Sequence, residues 1–221
     1  MEPLDLSSWR DDPDIAAADA EFARLFDAIS DIANAESIDN FDWPAKVPRP
    51  ESGLTISDPG LKATFDLVCM AGAYVFAHEV RHNILEGQDD RPEELVDEER
   101  ECDRWALALM MEKAADYATS NNWPPETVRA KRLLAIIIAK LLILRLTPRA
   151  NWDVSDGHPP VRDRLQSVLD AATGTMPFWF WTSVTSMILG FAERSGVDIG
   201  TPVVPVDIRQ LAYELCDRLR P

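Results

Sequence analysis

The chain has 221 residues and 46% hydrophobic content, enough for one compact domain with a real core. Its formal net charge of −16 excludes nucleic acid as the expected partner, because binding a phosphate backbone needs clustered Lys and Arg that this chain does not show. Cys69, Cys102 and Cys216 are odd in number and far apart, so they form neither a metal knuckle nor a disulfide framework, and a reducing, cytoplasmic setting fits them best. The acidic start, MEPLDLSSWRDDPD, lacks the basic start and apolar stretch of a secretory signal.

From Asp14 to Ala35, Ile15, Phe22, Leu25, Phe26, Ile29, Ile32 and Ala33 recur at three- and four-residue steps, which predicts a packing helix with one buried face. The prolines of NFDWPAKVPRPESG then predict an extended loop. Leu54, Thr55 and Ile56 suggest a short strand before SDPG, which reads as a turn. A long, mostly buried helix is expected from about Leu61 to Leu85, ending near Gly87, with Gln88 to Pro92 as a polar connection.

Glu93 to Ala118 reads as the next helix, with Leu107, Met110, Met111 and Ala114 as its apolar stripe and NNWPP as its stop. Further helices are predicted over Glu126 to Leu146, Val161 to Ala172 and Ile208 to Leu219. Leu133 to Leu146, LLAIIIAKLLILRL, is too short for a bilayer and carries Lys140, so it reads as a buried helix. Thr173 to Ala192 is uncharged, but its Gly, Pro, Thr and Ser lower its insertion propensity, and an aromatic-rich core helix is the better reading. The expected fold is mainly α, with at most a small β-hairpin or short sheet. The expected organisation is a single domain over 1–221, with a catalytic core at 64–170 and packing extensions at 1–50 and 175–221.

Within AHEVRH, His78 and His82 stand four residues apart on a helix, so both imidazoles can be directed at one ion. Glu79 lies beside the first and suits a base that takes a proton from water at the metal. Composition alone would generate this His-Glu-x-x-His pattern in roughly three of a thousand shuffled chains. The bland alternative is a helix-end pair of histidines beside a solvated glutamate.

A catalytic zinc site needs a third protein ligand and an open fourth position. In DEERECDRWA, Glu99 and Asp103 are spaced i, i+4 on the following helix. Glu99 supplies the third ligand, and Asp103 then sits where it can accept a hydrogen bond from a zinc histidine, with His78 the favoured partner. Glu98 and Glu101 are rival registers without an aspartate four residues later. Taken alone, this acidic run reads as a solvated helix face. His158, in GHPPVRDRL, is an ordinary loop residue on its own terms. It also suits an oxyanion donor, with Arg164 as orienter or second positive group and Arg162 as the alternative.

The ordered set HEVRH, ERECDRWA and HPPVRDRL resembles the gluzincin metallopeptidases, most closely the Lit-type phage-exclusion peptidases. It is also similar to the HtpX-type and prenyl-protein peptidases, whose later motif likewise has Arg six residues after its His. The resemblance implies a zincin-like helix pair, with His78, His82 and Glu99 as zinc ligands, Glu79 as general base and Asp103 as the outer carboxylate. His158 and Arg164 match the late motif, and Cys102 stands where such families have a small Ala. The resemblance covers about residues 64–170.

The reading from these residues is a zinc-dependent endopeptidase acting on a protein or peptide, with membrane contact not expected. The kinship implies one intracellular target and a dormant enzyme triggered during phage infection. Two other classes remain at this point. One is a non-catalytic zinc-stabilised interaction or regulatory module, with His158 or a cysteine closing the site. The other is a membrane-associated peptidase using Thr173 to Ala192.

Overall fold

A computed structural model describes residues 12–37, 39, 41–44, 55–87, 91–153, 157–199 and 207–220. Its described elements are helical: α1 (Pro13–Ala33), α2 (Pro59–Glu86), α3 (Leu95–Glu112), α4 (Ala114–Ser120), α5 (Pro125–Leu146), a 3-10 turn (Arg149–Asn151), α6 (Val161–Ala171), α7 (Phe178–Arg194) and α8 (Ile208–Arg218). The fold is mainly α, as the helical periodicities require, and no strand occurs among the described residues. Thr55 to Ser57 are irregular, so the expected strand does not form there. Leu54, the centre of the proline-rich loop at 45–53, the connection at 88–90 and the segment 200–206 lie outside the described residues.

The contacts divide the chain into two units, one of Met1–Thr55 with Pro202–Val204, the other of Ile56–Thr201 with Pro205–Pro221. In the first unit, Asp12 caps α1 by accepting a hydrogen bond from the Asp14 amide at 2.9 Å, with Pro13 at the first helical position. Of the expected apolar face only Phe26 is buried, its ring tilted by 38° to that of Phe22 with centroids 6.0 Å apart, while Ile15 and Phe22 are exposed.

In the second unit, α5 is the central element. It packs against α2, α3, α4, α6 and α7, and Leu133, Ala135, Ile136, Ile137 and Leu144 are wholly buried. A helix covered on several sides needs apolar residues all round, which is why LLAIIIAKLLILRL resembles a membrane span yet forms a core.

The SDPG stretch is a helix start and not a turn before one. Asp58 Oδ1 accepts from the Leu61 amide at 2.7 Å, and Pro59 fills the first helical position, where a missing N–H costs nothing. The helix expected over 93–118 breaks at Lys113 into α3 and α4, and the redirected chain buries Ala114 and Ala118 against Val128 of α5. Pro177 starts α7 four residues later than the apolar run begins, and Phe180, Trp181, Val184, Ile188 and Phe191 enter the core.

The expected burial of α2 is corrected. Its buried residues are Ala71, Tyr74, Ala77, His78 and Leu85, one seam at three- and four-residue steps facing α3 and α5. Leu61, Phe65, Val68 and Phe76 are exposed on its other side. This helix, rather than the two segments weighed from sequence, is long and apolar enough to cross a membrane by length and composition, and 17% of its most apolar window is buried.

Leu133→Ala should destabilise the chain by about 2–5 kcal/mol, whereas loss of the α2 cap in Asp58→Ala should cost about 1 kcal/mol. Urea unfolding of the two variants beside the parent checks that order.

Candidate metal centre

Both histidines lie on the last turns of α2, at the end of its buried seam, so the helix itself aims them at α3. The rings meet edge to face with centroids 4.9 Å apart. His78 Nε2 and His82 Nε2 are 3.1 Å from each other. Glu99 of α3 straddles the pair, with Oε2 3.4 Å from His78 Nε2 and Oε1 3.2 Å from His82 Nε2. One ligand atom from each of the three residues falls within 4.8 Å of the others.

The outer nitrogens also face carboxylates. His82 Nδ1 is 2.7 Å from Glu98 Oε1, and Glu98 is in turn held by Arg91, whose Nε donates to Oε2 at 2.6 Å. His78 Nδ1 approaches Asp103 Oδ1 at 2.9 Å, with its N–H oblique to the oxygen so that the contact is close without being a well-aligned hydrogen bond. With Nδ1 protonated toward these carboxylates, both Nε2 atoms turn lone pairs toward one another and toward Glu99. Three electron-rich atoms at this separation repel unless a cation or proton lies among them. Ligands on a tetrahedral zinc with ~2.0–2.1 Å bonds lie about 3.4 Å apart, close to the spacing here. The residues present therefore fit a zinc-like ion, held by two imidazole nitrogens and a carboxylate.

Behind His78 is a buried polar cluster. Arg164 of α6 grips Asp103 at both ends, Nε donating to Oδ2 at 2.7 Å and Nη2 to Oδ1 at 2.8 Å. Tyr74 of α2 donates its hydroxyl to Asp103 Oδ1 at 2.9 Å, and Lys140 of α5 hydrogen-bonds the same oxygen through Nζ. Arg164 Nη2 also lies 3.5 Å from Glu99 Oε2. Burial would raise the Asp103 carboxyl, but His78, Lys140 and Arg164 together hold it well below the usual carboxylate range. Glu99 falls to about 2, its burial outweighed by His78 and Arg164. His78 is raised because Asp103 and Glu99 outweigh its own burial, so a metal ion competes with a proton there. Burial pushes the Lys140 ammonium down to about 7 despite the facing Asp103.

Of the residues expected from sequence, His78, His82, Glu99, Asp103 and Arg164 converge on one centre. Glu79 is exposed, one residue beyond His78 on α2. His158 is largely exposed, yet its Nδ1 comes within 3.4 Å of Glu99 Oε1. Its loop is anchored by buried Trp152, which donates from Nε1 to the Thr147 carbonyl at 3.1 Å and accepts from the Val161 amide. Arg162 turns away to Asp153, at 2.8 Å. Cys102 is fully buried and its thiol is pushed up to about 12, chiefly by that burial, so it is a neutral packing residue.

Three members of the centre belong to no motif of their own. Glu98 stood only as a rival ligand, whereas it sits on the outer nitrogen of His82. Lys140 and Tyr74 read as parts of apolar helices. A lysine in the middle of an otherwise apolar run was the one available signal, since a buried ammonium needs an anion.

A helix pair bearing two imidazoles, a carboxylate and their outer carboxylates is the kind of centre found in hydrolases, and comparison with known families identifies this chain as a peptidase. The Peptidase U49 family model matches residues 8–179, and the chain belongs to that family. No curated protein matches the chain. No solved structure does either.

In the metal-free chain, the stability contributed by Glu99 should be complete above its ordinary pKa of 4.5 and drain away as pH falls toward about 2, since a lowered folded-state pKa means that acid protonates the unfolded chain first. Glu99→Gln should therefore unfold with a shallower dependence on acid than the parent, measured as thermal midpoints from pH 6 to pH 2 after chelator treatment.

Proposed function

We propose that this peptide hydrolase is a zinc-dependent endopeptidase, with His78, His82 and Glu99 holding the ion. The observation that carries the reading is the mutual approach of two imidazole Nε2 atoms and one carboxylate at 3.1–3.4 Å, each ring backed by its own carboxylate. Zinc bound there would polarise the scissile carbonyl and lower the pKa of a coordinated water to about 7.

The chain's own residues do the rest. Glu79, exposed beside His78, accepts the proton of the attacking water and passes it to the leaving amine. Asp103 and Glu98 hold the two rings in the tautomer that presents Nε2. Arg164 acts through its two-point grip on Asp103, a role other than the oxyanion-side one expected for it beside His158. His158, exposed and next to Glu99, donates a hydrogen bond to the oxyanion that forms when the carbonyl is attacked. The substrate is a protein or peptide, and kinship by motif to phage-exclusion peptidases suggests one intracellular target and a role in phage defence.

One observation favours a second reading, a non-catalytic zinc module. His158 Nδ1 is near enough to Glu99 to swing toward the ion and close the fourth position. The cysteine version of that reading loses support, because the nearby Cys102 is a buried neutral thiol.

The purified chain should carry near-stoichiometric zinc by metal analysis. Glu79→Gln should keep that zinc and lose at least 100-fold in cleavage, read by N-terminal peptide mapping of cells expressing parent or variant; cleavage equal to the parent would sink the mechanism. His158→Asn should retain metal with a lowered kcat if the site is catalytic, and should shed metal if His158 closes a structural site.

A further inference from the structure

The buried cluster behind the metal centre holds two groups that no part of the reaction above uses. Lys140 is 1% exposed and its helical neighbours Ile136, Ile137, Ala139, Leu141 and Leu144 are all buried and apolar. An ammonium placed there loses its hydration, a cost that a methionine or leucine of similar length would avoid. Its Nζ meets Asp103 Oδ1 and stands 5.1 Å from the centre of the Tyr74 ring. Tyr74 precedes His78 by one helical turn, so hydroxyl and imidazole descend from the same face of α2 onto the same oxygen.

We propose that Lys140 and Tyr74 are positioning residues of the metal centre: with Arg164 they hold the Asp103 carboxylate fixed in orientation against His78 Nδ1, so that His78 presents Nε2 to the ion. This inference rests on the metallopeptidase reading. A carboxylate with a single imidazole partner is free to rotate about its side-chain bonds. Here donors from α2, α5 and α6 occupy both oxygens, and each rotation breaks a buried, charge-assisted contact. Lys140 faces Asp103, and Arg164 lies between Asp103 and Glu99, so both carboxylates have partners from other helices.

The competing explanation is a staple that only joins α3 to α5 and α2. The two are separated by where the effect is routed. A positioning role passes through Asp103 and disappears with it, whereas a staple weakens the chain whatever stands at position 103.

The test is Co2+ binding by the full-length chain, followed by visible absorption and by competition with a chelating indicator. The parent is compared with Lys140→Met, Tyr74→Phe and Asp103→Asn, and with each of the first two combined with Asp103→Asn. Lys140→Met and Tyr74→Phe should each weaken Co2+ binding by about 10-fold or more and shift its visible bands, as loss of an outer-shell partner does. In the Asp103→Asn background neither should add more than about twofold. Tyr74→Phe removes one hydroxyl and keeps the ring, so it decides the matter alone if Lys140→Met does not fold. Parent-like Co2+ binding by both variants, or losses that persist in full without Asp103, would overturn the proposal while leaving the metal site intact. A parent chain that takes up no Co2+ or Zn2+ overturns the metallopeptidase reading and this inference together.

Discussion

Asp103 carries a negative charge where there is almost no water to solvate it, and four side chains from three other helices converge to meet that charge. Burying a carboxylate without partners costs several kcal/mol, so the packing of α2, α3, α5 and α6 has to bring those partners together. Once it does, the relative placement of the helices is fixed at the point where His78 emerges. The ligand atoms on the other side of the ring inherit that placement. The centre is thus built from the inside outward, from a neutralised core carboxylate to an imidazole to the face where an ion fits.

His82 is supported differently. Its outer carboxylate, Glu98, is held by the exposed Arg91, and His82 itself is only partly buried. Successive residues of α3 therefore divide the work, Glu98 behind one ring and Glu99 in front of both. One histidine is anchored in the core and the other is only partly buried, and exposed Glu79 and His158 neighbour His78 in the chain and Glu99 in space respectively. Under the proposed metallopeptidase reading, one rigid support and one near the surface would let a substrate reach an ion held there.

Much of this arrangement was legible in the residues. Proline and aspartate punctuation marked most helix starts to within a few residues, because caps and first-turn prolines act through local backbone chemistry. Where expectation and structure part, tertiary packing is the cause. The run over 93–118 has no breaker at Lys113, yet the helix divides there so that Ala114 and Ala118 can reach Val128. The apolar length of α2 implied burial all round, but only one seam finds neighbours, because α2 lies at the margin of the bundle and packs on α3 and α5. Thr55 to Ser57 are too few and too near the Asp58 cap to pair as a strand.

What the sequence determined by itself was the local half of the site. Helical geometry makes His78 and His82 neighbours at four residues' separation, and it does the same for Glu99 and Asp103, with no information from the rest of the chain. Only the tertiary structure decided which outer partners meet them. Tyr74, Lys140 and Arg164 reach Asp103 across 29, 37 and 61 residues of chain, and no spacing rule connects positions so far apart. Their convergence follows from the packing of α2, α5 and α6 around a charge that cannot be left alone in the core.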